Sequence, residues 1–305
     1  MSPCGVFLLN KPVGVRSTAC VAALRRNLGK KTKVGHGGAL DSTAEGLMVL
    51  LAGGATRAND LVTGLPKLYG VEFRLGEERS TEDFSGEITF SGPVPKNPGD
   101  KISRLLPGFL GTRLQTPPDI SAVWVGGRRA HEIARSGESP EIRPRPVHIT
   151  SIGPVADCGD GISFKMEIRC HRGTYIRSIV RDIGRILGCG AHVRSLSRRS
   201  VGRFSLDRAA AFNELESQPS NLTARILPLS ELASHFYCYR CGQKTSEDLK
   251  SGKLAALTDM AFLWPGDGDP GGMAAVLGEG LFSYGKLMEG GFFKPMTNIF
   301  CGEEQ

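Results

Sequence analysis

The 305-residue sequence lacks any long hydrophobic run, and no apolar stretch approaches a membrane-spanning helix of about 20 residues. Aromatic residues are also few, at 7% of the chain. The first apolar patch follows no basic segment and leads directly into Lys11 and Pro12, so we expect a strand and not a signal or transit peptide. The length suffices for one large domain and one small one. We therefore expect a globular protein of the cytoplasm with no membrane association.

Cysteine is present but shows no regular spacing. The eight cysteines are scattered along the chain, so we expect free thiols in a reducing compartment. Cys238 and Cys241 form one closely spaced pair with His235 nearby, but a structural zinc site needs four ligands and the sequence has no second pair. We interpret these two cysteines as incidental thiols in a surface segment. The sequence predicts neither a metal nor a cofactor.

Acidic residues are scarce in one particular segment. Between Arg169 and Arg208 lie ten arginines and only two acids, Asp182 and Asp207, whereas the net charge of the whole chain is +7. From Glu231 to the last residue the balance reverses, with ten acidic and six basic residues. A focused basic zone is typical of a protein that binds a polyanion, and arginine is well suited to phosphate groups. A solvated basic face is the alternative interpretation.

The hydrophobic pattern predicts an α+β fold. Apolar and polar residues alternate over 67–76 and 161–170, as in half-buried strands, and residues 7–9 are typical of another strand. Residues 15–30 predict an amphipathic helix that Ser17 or Thr18 caps and Gly29 ends. Because strands and helices do not alternate regularly, we expect a mixed, largely antiparallel sheet flanked by helices.

Two regions stand apart from this pattern. Residues from about 112 to 150 have little apolar mass and predict a projecting, thumb-like insertion. Beyond the segment LPLSELASHF the chain is rich in glycine, and MAAVLGEGLFSYGK predicts a hairpin. We therefore expect a large domain over residues 1–230 and a small C-terminal β domain over 231–305.

An unusual combination occurs in KVGHGGALDSTAEGLMVLLAGGATR, residues 33–57. Gly37 and Gly38 add no side chain to a core, and glycine is useful where the backbone turns or another molecule comes close. Asp41 stands directly before the apolar run. Taken alone, Asp41 could be a helix cap or a turn residue, and His36 could be a turn histidine bonded to backbone. The choice depends on partners elsewhere in the chain.

One arginine lies in a position that helices disfavour. The segment HRGTYIRSIVRDIGRILG predicts a helix with Thr174 as its N-cap and a stripe of buried aliphatic residues. Arg177 falls in the first turn, where a cation opposes the helix macrodipole at a cost of roughly a few tenths of a kcal/mol, whereas Arg181 and Arg185 could simply be solvated. A partner carboxylate would explain this placement, and Asp41 is the strongest candidate. An aspartate held by an arginine stays ionised, which suits a nucleophile.

Four segments together resemble, in the same order, the motifs of the TruB family of tRNA pseudouridine synthases: GHGGALDSTAEGLMVL, KLYGVEFRLGEERSTEDFSG, QTPPDISAVWVGGRRAHEIARSG and CHRGTYIRSIVRDIGRILGCGAHVRSLSRRSVGRFSL. LLNKPVGVRST is similar to the opening Lys-Pro stretch of that family. The resemblance runs from about Phe7 to Leu232, and the small C-terminal unit resembles a PUA-like domain. It implies a pseudouridine synthase-like fold. It also implies an enzyme that isomerises uridine 55 in the TΨC arm of tRNA, without cofactor or metal.

The resemblance further implies roles for single residues. Asp41 stands at the position of the nucleophile, Arg177 at that of its partner, and Tyr69 at that of a tyrosine that stacks on the flipped base and is implicated in proton transfer. His36 would help to hold the everted loop, and Lys11 would support the wall of the site. The full set of residues expected to contact RNA is His36, Lys11, Arg128, Arg129, Arg172, Arg198 and Arg199.

The sequence departs from the family pattern at several positions. Gly37 and Ser42 replace the usual threonine and proline, and Glu45 replaces a threonine and adds a negative charge near Asp41. In the insertion, the usual tyrosine, lysine and tyrosine are replaced by Ile120, Trp124 and His131. These changes keep open an RNA-binding folding helper in which catalysis is dispensable.

A second alternative is the guide-RNA-dependent Cbf5/dyskerin branch of the same enzyme class. The insertion around QTPPDISAVWVGGRR argues against that branch, because this element belongs to the stand-alone enzymes of the family. The leading hypothesis is therefore a stand-alone synthase that binds the tRNA T-arm as a monomer, without an obligatory protein partner.

Overall fold

The computed structural model describes residues 3–217, 222–266 and 272–300. Its helices in this range are α1 (Ser17–Leu28), α2 (Asn59–Gly64), α3 (Pro98–Leu105), α4 (Ala130–Arg135), α5 (Ile176–Leu187), α6 (Glu214–Ser217), α7 (Leu229–Ala233) and α8 (Gln243–Lys250). Within the described residues, no helix is both long enough and apolar enough to cross a membrane.

The strands of the same range are, in chain order, β1 (Gly5–Lys11), β2 (Val34–His36), β3 (Glu45–Ala52), β4 (Lys67–Leu75), β5 (Glu77–Arg79), β6 (Ile88–Ser91), β7 (Gly111–Gln115), β8 (Trp124–Val125), β9 (Arg128–Arg129), β10 (Arg145–Ile152), β11 (Ala156–Asp157), β12 (Ser163–Cys170), β13 (Ala191–Val201), β14 (Phe204–Ser205), β15 (Ala210–Ala211), β16 (Tyr237–Cys241), β17 (Ala255–Ala256), β18 (Met260–Trp264), β19 (Met273–Gly278), β20 (Leu281–Met288) and β21 (Phe292–Phe300).

One large sheet organises the first part of the chain. Its strand order is β15-β1-β3-β13-β4-β12-β10-β7, with β2, β11 and β14 pairing at its margins. Most neighbours are antiparallel, while β3 with β13 and β1 with β15 are parallel. The predicted α+β fold with a mixed, largely antiparallel sheet is therefore confirmed.

The sheet separates two hydrophobic cores. Successive side chains of a strand point to opposite faces, so Phe7 and Leu9 of β1 pack in the core beneath α1 and α5, whereas Val6 and Leu8 pack against the C-terminal unit. The same alternation in β3 places both of its faces in a core. A strand buried on both faces can be apolar throughout, which explains the run LMVLLA.

The C-terminal unit, described over residues 237–266 and 272–300, is a second sheet with the order β17-β21-β20-β19-β16-β18. The predicted hairpin corresponds to the antiparallel pair β19 and β20. Cys238 and Cys241 are buried in β16, so their assignment to a surface segment is wrong. The expectation of free thiols is wrong for Cys4, which is in a disulfide bond. It is confirmed for Cys20, Cys158, Cys170, Cys189, Cys238 and Cys241, which are free.

The predicted insertion lies between two paired strands. β7 and β10 pair with each other at the edge of the large sheet. Between these strands lie residues 116–144, which carry the β8–β9 hairpin and α4. We call this part the thumb.

Two predicted helix caps are absent, and each has a physical reason. α1 begins without a side-chain cap, because the hydroxyl of Ser17 instead exchanges hydrogen bonds with the carbonyl oxygen and amide of Leu40, at 2.8 and 2.9 Å. Thr174 donates backwards to the carbonyl oxygen of His171, so Tyr175 takes the N-cap position of α5. The bond from Ser17 anchors the residue directly before Asp41.

Candidate active site

The Asp41 loop, residues 37–44, connects β2 to β3 at one edge of a cleft. β2 pairs antiparallel with β3, so the loop must leave the sheet and return to it. Leu40 is buried and tied to Ser17, whereas the side chain of Asp41 is 45% exposed. Asp41 is therefore accessible on a loop whose neighbouring residue is held in place.

Arg177 pairs with Asp41 across the cleft. Its Nε donates to Oδ2 of Asp41 at 2.9 Å, although the two residues are 136 positions apart. The Arg177 side chain is only 5% exposed, and its Nη1 and Nη2 donate to the carbonyl oxygens of Thr81 and Ile120 at 2.7 and 3.0 Å. All three nitrogens of the guanidinium thus have acceptors. The structure brings together the carboxylate and the first-turn arginine that the sequence pairs.

A second arginine holds the Asp41 loop from below. Arg198 is 1% exposed, and its guanidinium donates to the carbonyl oxygens of Leu47, Gly38 and Ala39 at 2.7, 2.9 and 3.3 Å. Lys11 is fully buried and donates to the carbonyl oxygens of Pro12 and Val15 at 2.9 Å each. The expectation that Lys11 and Arg198 contact RNA directly is corrected, because both side chains lie inside the protein. Arg198 bonds to the Asp41 loop, and Lys11 bonds to the segment that follows β1.

Asp41 and Arg177 open onto a small cavity of about 110 Å³. Tyr69 contributes one wall from the middle of β4. The remaining lining is Ala39, Leu40, Thr174, Tyr175, Ile176 and Leu196. An apolar lining around a carboxylate and a guanidinium is typical of a site that binds a small planar group and acts on it with charge.

Tyr175 is the main lining residue that the sequence interpretation missed. Its amide donates to Oε1 of Gln115 at 2.8 Å, and Nε2 of Gln115 donates back to its carbonyl oxygen at 3.0 Å. Gln115 is buried at the end of β7. The two hydrogen bonds fix the N-cap of α5 to the edge strand. The adjacency of Tyr175 to the arginine in GTYIR was the available signal.

Burial controls the protonation of the aromatic and imidazole groups at the site. It raises the pKa of Tyr69, and the neighbouring Arg198 guanidinium offsets part of that rise. It lowers the pKa of His36, and Arg198 adds to that effect. Tyr69 therefore keeps its proton and His36 is neutral near pH 7. The amide of Gly38 donates to Nδ1 of His36 at 3.4 Å, so the remaining proton lies on Nε2.

Gly37 and Gly38, which follow His36, are each required to be glycine for a different structural reason. A Cβ at Gly37 would lie 2.1 Å from Cγ1 of Val62, so this residue is small because α2 packs against it. Gly38 has a φ of 120°, which L side chains rarely adopt. Gly37 is thus packed against a helix, so the interpretation that it leaves room for another molecule is wrong.

A network under Arg177 was also not recognised in the sequence. The carboxylate of Asp83 accepts hydrogen bonds from the hydroxyls of Thr81, Thr43 and Ser85 at 2.6 to 2.7 Å. Burial acts to raise the pKa of Asp83, but these hydroxyls reverse the effect and lower it. Thr43 belongs to the Asp41 loop and Thr81 supplies a carbonyl oxygen to Arg177. Asp83 therefore links the loop to the segment that orients its partner.

The arginine-rich segment contributes less free positive charge than its composition suggests. Arg177, Arg181 and Arg198 are buried. Four others form ion pairs with acids of distant segments: Arg185 with Glu78, Arg194 with Glu72, Arg199 with Glu167, and Arg208 with Glu231. The expected basic face is therefore largely neutralised within the chain. Arg172 is exposed and takes part in no ion pair among the described residues.

The thumb presents the other arginines expected to contact RNA. Arg128 pairs with Glu138 at 3.2 Å on the surface. The guanidinium of Arg129 lies 4.1 Å from the ring centre of Trp124, whose residue is 56% exposed. Such a stacked pair offers a flat cationic and aromatic surface.

Glu45 and the question of a metal site complete the chemical description. Glu45 is exposed at the start of β3 and does not line the cavity. Over residues 3–217, 222–266 and 272–300, no three His, Cys, Asp or Glu side chains are close enough together to hold a metal ion.

Comparison with known proteins agrees with this geometry. Residues 25–176 match the family model described as TruB family pseudouridylate synthase, N-terminal domain, and residues 177–234 match tRNA pseudouridylate synthase B C-terminal domain. The chain is 36% identical to tRNA pseudouridine synthase B of Geobacillus kaustophilus over 260 residues, which cover 83% of the chain and 91% of that protein. It is 38% identical to the Mycobacterium tuberculosis protein of the same name over 218 residues, which cover 71% of the chain and 73% of that protein.

Solved structures support the fold. A Cbf5-Nop10-Gar1 complex has a chain that matches with a TM-score of 0.68 at 24% identity, covering 99% of this chain and 84% of that one. A chain of an H/ACA ribonucleoprotein bound to a substrate RNA matches with a TM-score of 0.69 at 22% identity, covering 97% and 85%. The sequence matches and the shared fold together establish that this chain belongs to the TruB family of pseudouridine synthases.

Proposed function

We propose that this chain is a stand-alone tRNA pseudouridine synthase that isomerises uridine 55 in the TΨC arm. The observation that carries the proposal is the Asp41–Arg177 pair at the mouth of a small cavity walled by Tyr69. The relatives named tRNA pseudouridine synthase B support tRNA as the substrate class. The enzyme would act as a monomer in the cytoplasm, the compartment of its proposed substrate.

The chemistry requires one carbon–nitrogen bond to be exchanged for one carbon–carbon bond. The bond from C1′ of the ribose to N1 of uracil breaks, the ring rotates, and C1′ joins C5. C5 loses a proton and N1 gains one, so the atoms balance without a co-reactant. Positive charge develops at C1′ as the first bond weakens, and the carboxylate of Asp41 is the group placed to attack or stabilise that carbon.

The surroundings of Asp41 suit this role. Arg177 keeps the carboxylate oriented through Oδ2 and leaves Oδ1 directed to no described hydrogen-bond donor. The ring of Tyr69 gives a uracil a surface on which to stack while it is detached. The target base must first leave the folded loop, since an enzyme cannot reach it inside a base stack. Neutral His36, the last residue of β2 before the Asp41 loop, can stack in the place that the base vacates.

Phosphate contacts would position the tRNA without reading its sequence. We assign them to Arg128 and Arg129 on the thumb, Arg172 before α5, and Arg199 on β13, of which Arg129 is half-buried and the others are exposed. Of these, Arg199 would exchange its contact with Glu167 for a phosphate.

The test is to incubate the purified chain with a T-arm minihelix transcript and to map pseudouridine. We expect product at position 55 and none in a minihelix that carries cytidine there. Asp41→Asn should lower the single-turnover rate by at least about 10³-fold and leave tRNA affinity nearly unchanged. The matched control is Glu231→Gln, which removes the carboxylate that pairs with Arg208. Both side chains of that pair are partly exposed and do not line the cavity, so this variant should react normally.

The same assay separates the alternatives. Product formed on the naked transcript excludes dependence on a guide RNA or a second protein, as in the Cbf5/dyskerin branch. Near-normal turnover by Asp41→Asn would refute the nucleophile. A wild-type chain that accelerates tRNA refolding but forms no pseudouridine would instead indicate a folding helper.

A further inference from the structure

Glu82 has a backbone conformation that non-glycine residues rarely adopt. Its φ is 62°, in the left-handed region. It lies between Thr81, whose carbonyl oxygen accepts a hydrogen bond from Arg177, and Asp83, which binds the hydroxyl of Thr43. A left-handed residue in this place needs a compensating interaction, because the conformation is unfavourable for a side chain with a Cβ.

The compensating interaction is a buried ion pair. Oε1 of Glu82 lies 2.5 Å from Nη1 of Arg181, and Oε2 accepts a hydrogen bond from the hydroxyl of Ser178 at 3.2 Å. Both charged side chains are nearly buried, at 11% and 8% exposure. Arg181 is held in turn by Asp182 and by the carbonyl oxygen of Thr116. The expectation that Arg181 is merely solvated is therefore wrong.

The backbone conformation of Glu82 affects the active site because it sets the orientation of the peptide plane between Thr81 and Glu82. The plane between Thr81 and Glu82 turns with φ of Glu82, and it carries the carbonyl oxygen that Arg177 contacts at 2.7 Å. A rotation of φ to the ordinary negative range would swing that oxygen away from the guanidinium. Arg177 would then lose one of its three acceptors, and the guanidinium could turn relative to Asp41.

We propose that the Glu82–Arg181 pair is a positioning device, which holds Glu82 in its left-handed conformation and so keeps Arg177 aligned with Asp41. The inference rests on the proposed function, because alignment matters only if Asp41 performs the chemistry. Burial raises the pKa of Glu82, while Arg181 and Arg177 offset part of that rise, which agrees with a carboxylate that depends on its partners. Neither Glu82 nor Arg181 lines the cavity, so the pair acts through Arg177.

The decisive comparison is between Glu82→Gly and Glu82→Ala. Both variants lose the carboxylate, but only glycine adopts a positive φ without penalty. We expect the alanine variant to react at least tenfold more slowly than wild type in single turnover. The glycine variant should be severalfold faster than the alanine variant, although alanine is ordinarily the better residue for stability. Dissociation constants for tRNA should stay within about twofold.

Arg181→Lys tests the other partner, since a lysine keeps the charge but cannot contact Glu82, Asp182 and Thr116 together. We expect a reduced single-turnover rate with normal tRNA affinity. The control is Glu78→Gln, which breaks the pair with Arg185 one helical turn further along α5, where the arginine side chain is 59% exposed, and which should leave the rate unchanged. Thermal unfolding verifies that each variant is folded at the assay temperature. Should Glu82→Ala be unfolded, Glu82→Gln replaces it, because glutamine keeps the side-chain length and also disfavours positive φ.

The outcomes separate the two proposals. A wild-type chain that forms no pseudouridine in the minihelix refutes the proposed function. An active wild type with equal rates for the glycine and alanine variants, or with Glu82 variants at the wild-type rate, refutes only the positioning role. Rates that follow the melting temperatures of the variants, instead of their tolerance for positive φ, would likewise assign the pair a purely structural role.

Discussion

The guanidinium of Arg198 donates a 2.9 Å hydrogen bond to the carbonyl oxygen of Gly38, three residues before Asp41. Arg177 holds the same loop from the opposite side through the carboxylate of Asp41. Two buried arginines from consecutive elements, α5 and β13, therefore determine where the loop lies. The position of the Asp41 carboxylate in the cleft depends on this double restraint.

Replacement of Arg198 by lysine should loosen the loop. A lysine offers one compact ammonium group, so it cannot span the three carbonyl oxygens that the planar guanidinium reaches. We expect Arg198→Lys to lower the free energy of unfolding by about 1–3 kcal/mol and to lower the single-turnover rate. Chemical denaturation and a pseudouridine assay measure the two effects. The adjacent Arg199→Lys on the exposed side of β13 should change stability by less than about 0.5 kcal/mol, and equal losses in both variants would contradict the argument.

Gly37→Ala should destabilise the protein by about 1–3 kcal/mol through overpacking. The added Cβ would lie 2.1 Å from Cγ1 of Val62, which is a buried residue of α2 that cannot move freely. Val62→Ala removes that methyl group, so the double variant should recover part of the loss. A double-mutant cycle with thermal unfolding tests this coupling. Strictly additive effects would show that the two positions do not meet.

The titration of buried Lys67 should make the free energy of unfolding increase as the pH rises. Burial lowers the pKa of Lys67 to about 8, from 10.5 for an exposed lysine. The folded state thus releases a proton at lower pH than the unfolded state, so the penalty of the buried charge is complete below pH 8 and disappears as the pH rises toward 10.5. Relative to Lys67→Met, the free energy of unfolding of the wild type should increase by about 1 kcal/mol between pH 7 and 9.

The comparison with Lys67→Met is needed because Cys170, which both proteins carry, acts in the opposite sense above pH 9 and cancels from the difference. Burial raises the pKa of Cys170 from 9.0 to about 11, so beyond pH 9 the unfolded state releases this proton while the folded state keeps it, and the stability falls. Lys165→Met, at an exposed position of β12, is the control and should show no such trend relative to wild type. A difference between wild type and Lys67→Met that does not vary with pH would exclude the buried charge.

Tyr69→Phe and Tyr69→Leu distinguish the hydroxyl from the ring. The phenylalanine variant keeps a stacking surface, so both its tRNA affinity and its fold should be normal while its rate falls by about 10²-fold or more. The leucine variant should lose the stacking as well. Because burial raises the pKa of Tyr69, the hydroxyl keeps its proton over the assay range, and the wild-type rate should show no decline from this group between pH 6 and 9. A decline in that range that Tyr69→Phe abolishes would contradict this assignment.

Much of the fold could be predicted from local sequence patterns. The predictions that were wrong concern single elements, such as helix caps. The alternation in β4 and β12 predicted their buried faces, since Val71, Phe73 and Phe164 point into the core. The apolar run of β3 carried no alternation, because both of its faces are covered. The predicted caps at Ser17 and Thr174 are absent because the Ser17 hydroxyl bonds to the backbone of Leu40 and the Thr174 hydroxyl to the carbonyl oxygen of His171, both outside their helices.

The sequence by itself was enough to recognise the family motifs and, through its hydrophobic alternation, to predict the mixed sheet. The disfavoured first-turn position of Arg177 was enough to predict its pairing with Asp41. Whether each of the other arginines is buried, paired with an acid or exposed depends on the tertiary structure. Arg181 and Arg185 follow Arg177 at identical spacing, yet one is buried against Glu82 and the other pairs with Glu78 at the surface. Spacing along a helix specifies a face, but the acids that meet that face come from distant segments, so folding alone determines which charges remain available for RNA.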